Sequence, residues 1–277
     1  MTSWAAKTWF ITGGSSGIGR ALAARVIRAG GRVAVTARDA SRIDLDLGDQ
    51  GVALDLDLAD PETFAPALAA AEKALGPIDV LVNNAGYGLL GAIEETGEEE
   101  RRAQMEANFF GPTALTGLVL PGWRARGAGM IVNVSSVSGV LGAAGSGYYA
   151  ASKHALEGWS DALRGELRPF GIHVLVVEPG AFRTGFFARS RRYAQKQLGV
   201  YPAVDKRREE EGRGDGRPPG DPERGALAIV AALDSDKPPA HLVLGGFAAA
   251  MIADALERRI AELELWREVS EGADFRE

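Results

Sequence analysis

The sequence predicts an α/β fold: a doubly wound parallel sheet of about seven strands, in a single domain spanning residues 1–277. Three features carry that expectation. Short β-rich runs alternate with helical segments from the first residues onward. The runs are apolar nearly throughout, as strands buried on both faces are. A glycine-rich turn joins the first run to the first helical segment.

Thr8–Thr12 is the first strand. Ile18 to Arg28 follows with Ile18, Ala21, Leu22 and Val26 at helical spacing, and Gly30 and Gly31 end it. Arg32–Thr36 and Gly51–Asp55 are the second and third strands. Asp60, Pro61 and Glu62 read as an N-cap, a first-turn proline and a first-turn acid, opening a helix that stops near Gly76. Asp79–Asn83 is the fourth strand, and a long helical pattern runs from Glu98 past Met105 and Phe109 toward Leu120. Gly129–Val134 is the fifth strand, followed by a helix from Tyr149 to Arg168. Ile172–Val177, a helix over Pro222–Leu233 and the strand His241–Leu244 complete the rhythm. Two segments stand outside it. Lys206 to Pro219, dense in charge, glycine and proline, reads as a mobile solvated loop. Phe247 to Val269 reads as an amphipathic helix with Ile252, Leu256, Ile260, Leu263 and Trp266 on one stripe, packed on its own domain or on another subunit.

Composition excludes several classes. A net charge of −6 with no basic stripe argues against nucleic acid as a partner. The absence of cysteine removes disulfides, thiolate nucleophiles and zinc–thiolate sites, and fits a reducing, cytoplasmic setting. The three histidines, His154, His173 and His241, lack metal-binding spacing, so no metal is expected. No leader-like or membrane-spanning segment is read in the chain.

Thr12-Gly13-Gly14-Ser15-Ser16-Gly17-Ile18-Gly19 lies between a strand and a helix. Glycines there let the backbone turn tightly and approach a pyrophosphate, while the helix N-terminus offers free N–H groups and a positive dipole end. That context makes it a dinucleotide-binding loop. The second strand ends Thr36-Ala37-Arg38, with no acid placed for a ribose 2′-hydroxyl and a guanidinium suited to a 2′-phosphate. NADP(H) is favoured, with NAD(H) left as the alternative. Gly13-x-Ser15-x-Gly17 also matches a hydrolase nucleophile elbow. Only one strand precedes Ser15, and His241 has no partner acid marked in sequence, so serine hydrolysis is rejected.

Tyr149-Ala-Ala-Ser-Lys153 places a phenol and an ammonium one helical turn apart. A cation held near a phenol favours phenolate, which makes a better proton-transfer group near neutral pH.

With the glycine loop, Asn83-Asn84-Ala85-Gly86 and Tyr149-x-x-x-Lys153 in order, the chain resembles the short-chain dehydrogenase/reductase family from about Thr8 to Thr184. The resemblance implies a Rossmann fold, a nicotinamide dinucleotide, and hydride exchange with a carbonyl or alcohol. By it, Tyr149 is the acid/base and Lys153 lowers its pKa and grips the nicotinamide ribose. Ser136, rather than Ser135 or Ser138, polarises the substrate oxygen, and Asn108 holds a water in the proton relay. Asp57 and Leu58 flank adenine, while Asn84, Ala85 and Gly86 lie along the adenosine ribose. Pro179, Gly180 and Thr184 hold the nicotinamide amide, and Ser15 or Ser16 reaches the 2′-phosphate or ribose. Leu89–Glu95 and Pro179–Thr184 look like the branch near 17β-hydroxysteroid and retinol dehydrogenases. Family members pair into dimers or tetramers, so a homo-oligomer is expected. The segment 182–219 falls where the family builds its substrate lid. Its Phe182, Phe186, Phe187, Tyr193 and Tyr201, with Tyr148, suggest an apolar pocket and a hydrophobic ketone or alcohol. The competing reading is a non-catalytic dinucleotide sensor, a class that commonly loses the tyrosine or lysine present here.

Overall fold

Two-residue alternation in the strands sorts their side chains onto two helical layers. In the computed structural model, which describes residues 3–184, 190–212 and 218–275, β1 (Thr8–Thr12) is buried along its whole length. Its Trp9 and Ile11 face one layer and Phe10 the other. The first layer holds α1 (Gly17–Arg28) and α7 (Pro222–Leu233), packed on β2 (Arg32–Ala37) through Val33 and Val35. The second layer holds α2 (Phe64–Leu75), α4 (Gly111–Arg126) and α5 (Gly147–Leu167). Each large aliphatic side chain closed off in this way contributes about 2 kcal/mol.

The remaining strands are β3 (Gly51–Asp55), β4 (Val80–Asn83), β6 (Gly129–Val134), β7 (Ile172–Pro179) and β9 (His241–Leu244). With β1 and β2 they form one seven-stranded sheet in the order β3-β2-β1-β4-β6-β7-β9, every pair parallel. The strand order reverses between β1 and β4, where loops leaving the carboxyl ends part and open a crevice. The register is even: Thr12 lies opposite Thr36, Asn83 opposite Asn133 and Val134 opposite Val177. The loops that follow these strands therefore start at one level.

A second, small parallel pair joins β5 (Gly88–Leu90) to β8 (Arg191–Tyr193). It ties the stretch after β7 to the end of the β4 loop. The charged stretch expected as a solvated loop is instead largely α6 (Pro202–Gly212), while residues 213–217 lie outside the described residues. An ion pair explains why so polar a sequence is held there. The Glu95 carboxylate is fully buried and accepts from Arg208 Nη2 (2.9 Å), Ala92 N (2.9 Å) and Leu198 N (2.8 Å). Burial alone would raise that carboxyl, but the two backbone N–H groups and Arg208 outweigh it and hold it below the usual range. Val204 adds an apolar contact against Gly145.

The long helical pattern from Glu98 is α3 (Glu98–Met105), a π-helical turn over Glu106–Phe110, and then α4. At the C-terminus, α8 (Gly246–Leu265) is followed by α9 (Arg267–Glu271). Only the first turns of α8 pack on this domain, through Ala248 and Ile252. Leu256, Ile260, Leu263 and Trp266 on the expected stripe are about half exposed or more.

Replacing Glu95 by Ala leaves a guanidinium and two N–H groups without their acceptor. The unfolding free energy from urea denaturation should fall by about 3 kcal/mol. A change within about 0.5 kcal/mol, as for a surface pair, would contradict this anchoring role.

Candidate active site

The carboxyl ends of the strands frame a cleft of about 630 Å³. Its entrance is set by the glycine loop. Gly13 (φ 69°) and Gly17 (φ 60°) take left-handed conformations, and a Cβ on Gly13 would come within 2.8 Å of the Ala85 backbone. Gly17 opens α1 and lines the cleft, and a Cβ there would come within 3.0 Å of Thr184. Thr12 fixes the loop in place. Its hydroxyl accepts from the N–H groups of Asn84 and Ala85 (3.0 Å each), and Asn84 Nδ2 donates to the carbonyls of Thr12 (2.9 Å) and Gly13 (3.0 Å).

Gly13, Ser15, Ser16, Gly17, Ile18, Arg38, Asp57, Leu58, Asn84, Ala85 and Gly86 all line the cleft, as do Ser136, Tyr149, Lys153, Pro179, Gly180 and Thr184. Two of the expected residues do not. Gly19 lies behind the loop, where a Cβ would meet Asn84 Nδ2 at 2.5 Å, so its part is to let α1 approach β4. Asn108 is buried in the π-helical turn. Its Oδ1 accepts from Tyr87 N (3.1 Å), and its Nδ2 donates to Tyr87 O (3.0 Å) and Ser152 Oγ (3.1 Å). The same Oδ1 lies 3.0 Å, and Lys153 Nζ 3.7 Å, from the position a Gly86 Cβ would take, so both groups converge on that backbone.

α5 carries the tyrosine and the lysine, and three polar contacts seat its inner face. Lys153 Nζ donates to Val134 O (2.9 Å) at the end of β6, Ser152 receives Asn108, and Ser160 Oγ receives Asn133 Nδ2 (2.8 Å). Asn133 Oδ1 in turn accepts from Asn83 Nδ2 (2.8 Å), which also reaches Thr116 Oγ1 (3.0 Å) on α4. This buried chain crosses two strands and joins both helices.

The Tyr149 phenol is pushed up by burial, with the hydrogen bond to Ser136 and the charge of Arg191 acting in the opposite direction. Lys153, expected to depress it, is not among these influences. The lysine's own amino group sits on the Val134 carbonyl and is itself lowered to about 8 by burial, partly offset by Glu157. Ser136 Oγ also accepts from Ser138 N (3.1 Å), which orients it, whereas Ser135 is buried against Glu157.

Asp39 caps its own turn, accepting from Ser41 N (3.1 Å), Ser41 Oγ (2.6 Å) and Arg42 Nε (3.1 Å). Its carboxylate is thus engaged beside Arg38 and turned to the local loop. The aromatic pocket is only partly as expected. Phe182 lines the cleft but packs into the core against Gly220 and Gly225. Tyr201 donates to Glu94, and neither it, Tyr148 nor Tyr193 lines the cleft. Phe186 and Phe187 lie outside the described residues.

Several groups escaped the sequence reading. Arg191, Arg192 and Arg207 line the cleft, with Tyr87 and with Phe247 and Met251 of α8. For Arg191 and Arg192 the signal was the pairing of β5 with β8, too short to read from periodicity. Glu157, Glu178 and His241, far apart in sequence, meet behind Lys153. His241 Nδ1 lies 2.8 Å from Glu178 and 3.2 Å from Glu157, and its Nε2 lies 3.1 Å from Asp161.

The glycine cradle, the helix N-terminus and the polar edge of the cleft fit a dinucleotide bound across the sheet switch point. Comparison with known proteins agrees with this geometry. The family model for short chain dehydrogenase matches residues 7–195. "Oxidoreductase claN" of Passalora fulva is 45% identical over 205 residues, covering 72% of this chain and 92% of that protein. A short-chain dehydrogenase from Streptomyces avermitilis is 43% identical, superposes with a TM-score of 0.90, and covers 98% of this chain and 100% of its own. A short-chain dehydrogenase from Sphingobium yanoikuyae in complex with NADPH is 28% identical, with a TM-score of 0.70, over 98% of this chain and 96% of that one. On this agreement of sequence, sheet order and cleft, the chain belongs to the short-chain dehydrogenase family.

Proposed function

We propose that this protein is an NADP(H)-dependent oxidoreductase acting on a carbonyl or secondary alcohol, with Tyr149 as its acid/base. The observation that carries this reading is the convergence of Tyr149, Ser136 and Lys153 on one side of the cleft, opposite the glycine loop. A nicotinamide dinucleotide bound there supplies or accepts the hydride. Ser136, oriented by Ser138 N, donates its hydroxyl proton toward the substrate oxygen and polarises the carbonyl. Tyr149, kept protonated by its raised pKa, delivers a proton to that oxygen in the reducing direction. Lys153 lies one turn along and replenishes the phenol through solvent or ribose hydroxyls. Asn108 holds the Tyr87 backbone beside this path and presents Oδ1 toward Gly86, next to Lys153 Nζ.

NADP(H) is favoured over NAD(H) because Arg38 lines the cleft while the adjacent acid, Asp39, is spent on its own turn. The choice rests on Arg38 and Asp39, because solved proteins of the same fold hold either dinucleotide. A dinucleotide sensor without turnover is the weaker reading, since Ser136, Tyr149, Lys153 and Asn108 all keep a catalytic arrangement. We assign the protein to the cytoplasm, as a homo-oligomer; among the described residues no helix is long and apolar enough to cross a membrane.

A depletion screen with NADPH and NADH against aldehydes, ketones and quinones tests class and cofactor together. Carbonyl-dependent oxidation of NADPH is expected. Arg38→Ala should weaken NADPH binding about tenfold or more while leaving NADH nearly unchanged. Tight NADPH binding with no oxidation across the panel would favour the sensor.

The buried lysine gives a second test. In the cofactor-free protein, its ε-amino group should titrate near 8, read by NMR of lysine carbons and absent in Lys153→Met. Its folded value lies below the unfolded 10.5, so the unfolded chain binds more protons between these values. This site therefore adds stability as pH rises through that window, and at neutral pH the buried charge costs about 3 kcal/mol. A lysine set titrating entirely above 10 would contradict the buried position.

A further inference from the structure

One face of α5 carries a titratable side chain at every turn. Tyr149, Lys153, Glu157 and Asp161 follow one another at four-residue spacing, from the cleft toward β9, the edge strand of the sheet. The first two belong to the acid/base machinery proposed above. Glu157 does not touch the cleft, yet it is buried. Its Oε2 lies 3.2 Å from His241 Nδ1 on β9. Its Oε1 faces Ser135 Oγ, and a Cβ on Gly139 would clash with both atoms, so the glycine is what admits this carboxylate. Among the described residues neither atom has another hydrogen-bond partner. Ser135 directly follows Val134, whose carbonyl holds Lys153 Nζ (2.9 Å). Carboxylate and ammonium therefore share one corner at the end of β6.

The charge on Glu157 is set by its neighbours. Burial raises its carboxyl, and Glu178 from β7 and Asp161 from α5 push the same way. The hydrogen bond from Ser135 and the charge of His241 oppose them. His241 Nδ1 lies between Glu178 (2.8 Å) and Glu157 (3.2 Å), and its Nε2 meets Asp161 (3.1 Å). Carboxylates at both ring nitrogens suit the doubly protonated imidazole, which donates from each. Arg164 Nη1 (2.6 Å) holds Asp161 from the other side. Among the described residues, Glu157 is the one charged group that acts on Lys153, and it favours the ammonium against burial.

Resting on the oxidoreductase reading above, we propose that Glu157 is a positioning residue of the reaction: its carboxylate, held ionised by His241, keeps the buried Lys153 amino group charged. In the reducing direction Tyr149 gives its proton to the new alcohol and is left as phenolate. The Lys153 ammonium returns a proton to it, directly or through ribose hydroxyls, and the amine left behind regains one from solvent. A neutral amine has no proton to return. His241, exposed on the edge strand, thus reaches the reacting end through one buried carboxylate.

The test is the titration of Lys153 itself, followed by NMR of the lysine carbons in the cofactor-free protein, where it is expected near 8. Glu157→Gln keeps the shape and removes the charge. It should bring that titration down by about one unit, and the basic limb of kcat for NADPH-dependent reduction should move down with it. His241→Gln should shift both the same way by less, and should add nothing on top of Glu157→Gln. Glu166→Gln, which removes an acid from the exposed face of the same helix, should change neither. A role in packing alone would lower kcat equally at every pH and leave the lysine where it was. A Lys153 titration within about 0.3 units of wild type in Glu157→Gln overturns the proposal, whatever happens to the rate. If Glu157→Gln does not fold, His241→Gln at its exposed position decides: a downward shift supports the proposal and an unmoved lysine refutes it. The NMR readout needs no turnover. An unmoved lysine in an enzyme that still reduces carbonyls therefore refutes this inference and spares the oxidoreductase reading.

Discussion

The site depends on a buried amino group. Lys153 sits at the carboxyl end of β6 with its ammonium on the Val134 carbonyl, in surroundings that lower its pKa to about 8. A charge so placed is held there by the rest of the structure rather than by its own preference. Two more polar contacts on the same face of α5, Ser152 with Asn108 and Ser160 with Asn133, fix the helix against the sheet. The Asn83–Asn133 bond extends that hold across β4 and β6. With α5 so fixed, Tyr149 can stand only where it does, one turn before Lys153 and against Ser136. Satisfied buried polar networks specify one arrangement more strongly than apolar packing does.

Charged side chains line the cleft at Arg38 after β2, Asp57 after β3, Lys153 on α5, and Arg191, Arg192 and Arg207. The stretch that carries the last three arginines is anchored by one buried carboxylate, Glu95, through Arg208 and two backbone N–H groups.

Much of this was legible in the sequence for physical reasons. Strands such as Thr8–Thr12 and Gly129–Val134 are apolar runs because both faces are covered, and the glycine loop has few other uses between a strand and a helix. The cofactor edge followed from that loop, and all but Gly19 and Asn108 of the expected residues line the cleft. What escaped depends on contacts distant in sequence. The helix Pro202–Gly212 has no apolar stripe and reads as a loop until Arg208 is seen to meet Glu95. The pairing of Gly88–Leu90 with Arg191–Tyr193 is three residues long, below any periodic signal. The direction of the Tyr149 shift depends on burial and on where the Lys153 amino group points, which spacing alone does not give. The meeting of Glu157, Glu178 and His241 likewise requires three elements to be assembled first.

The central claim is that Tyr149 is the proton-transfer group of this cleft. Its most direct test is Tyr149→Phe, which removes the hydroxyl and keeps the ring. Turnover of any carbonyl that the wild type reduces should fall about a thousandfold, with NADPH affinity within about threefold of wild type. Near-normal turnover in Tyr149→Phe would contradict the account.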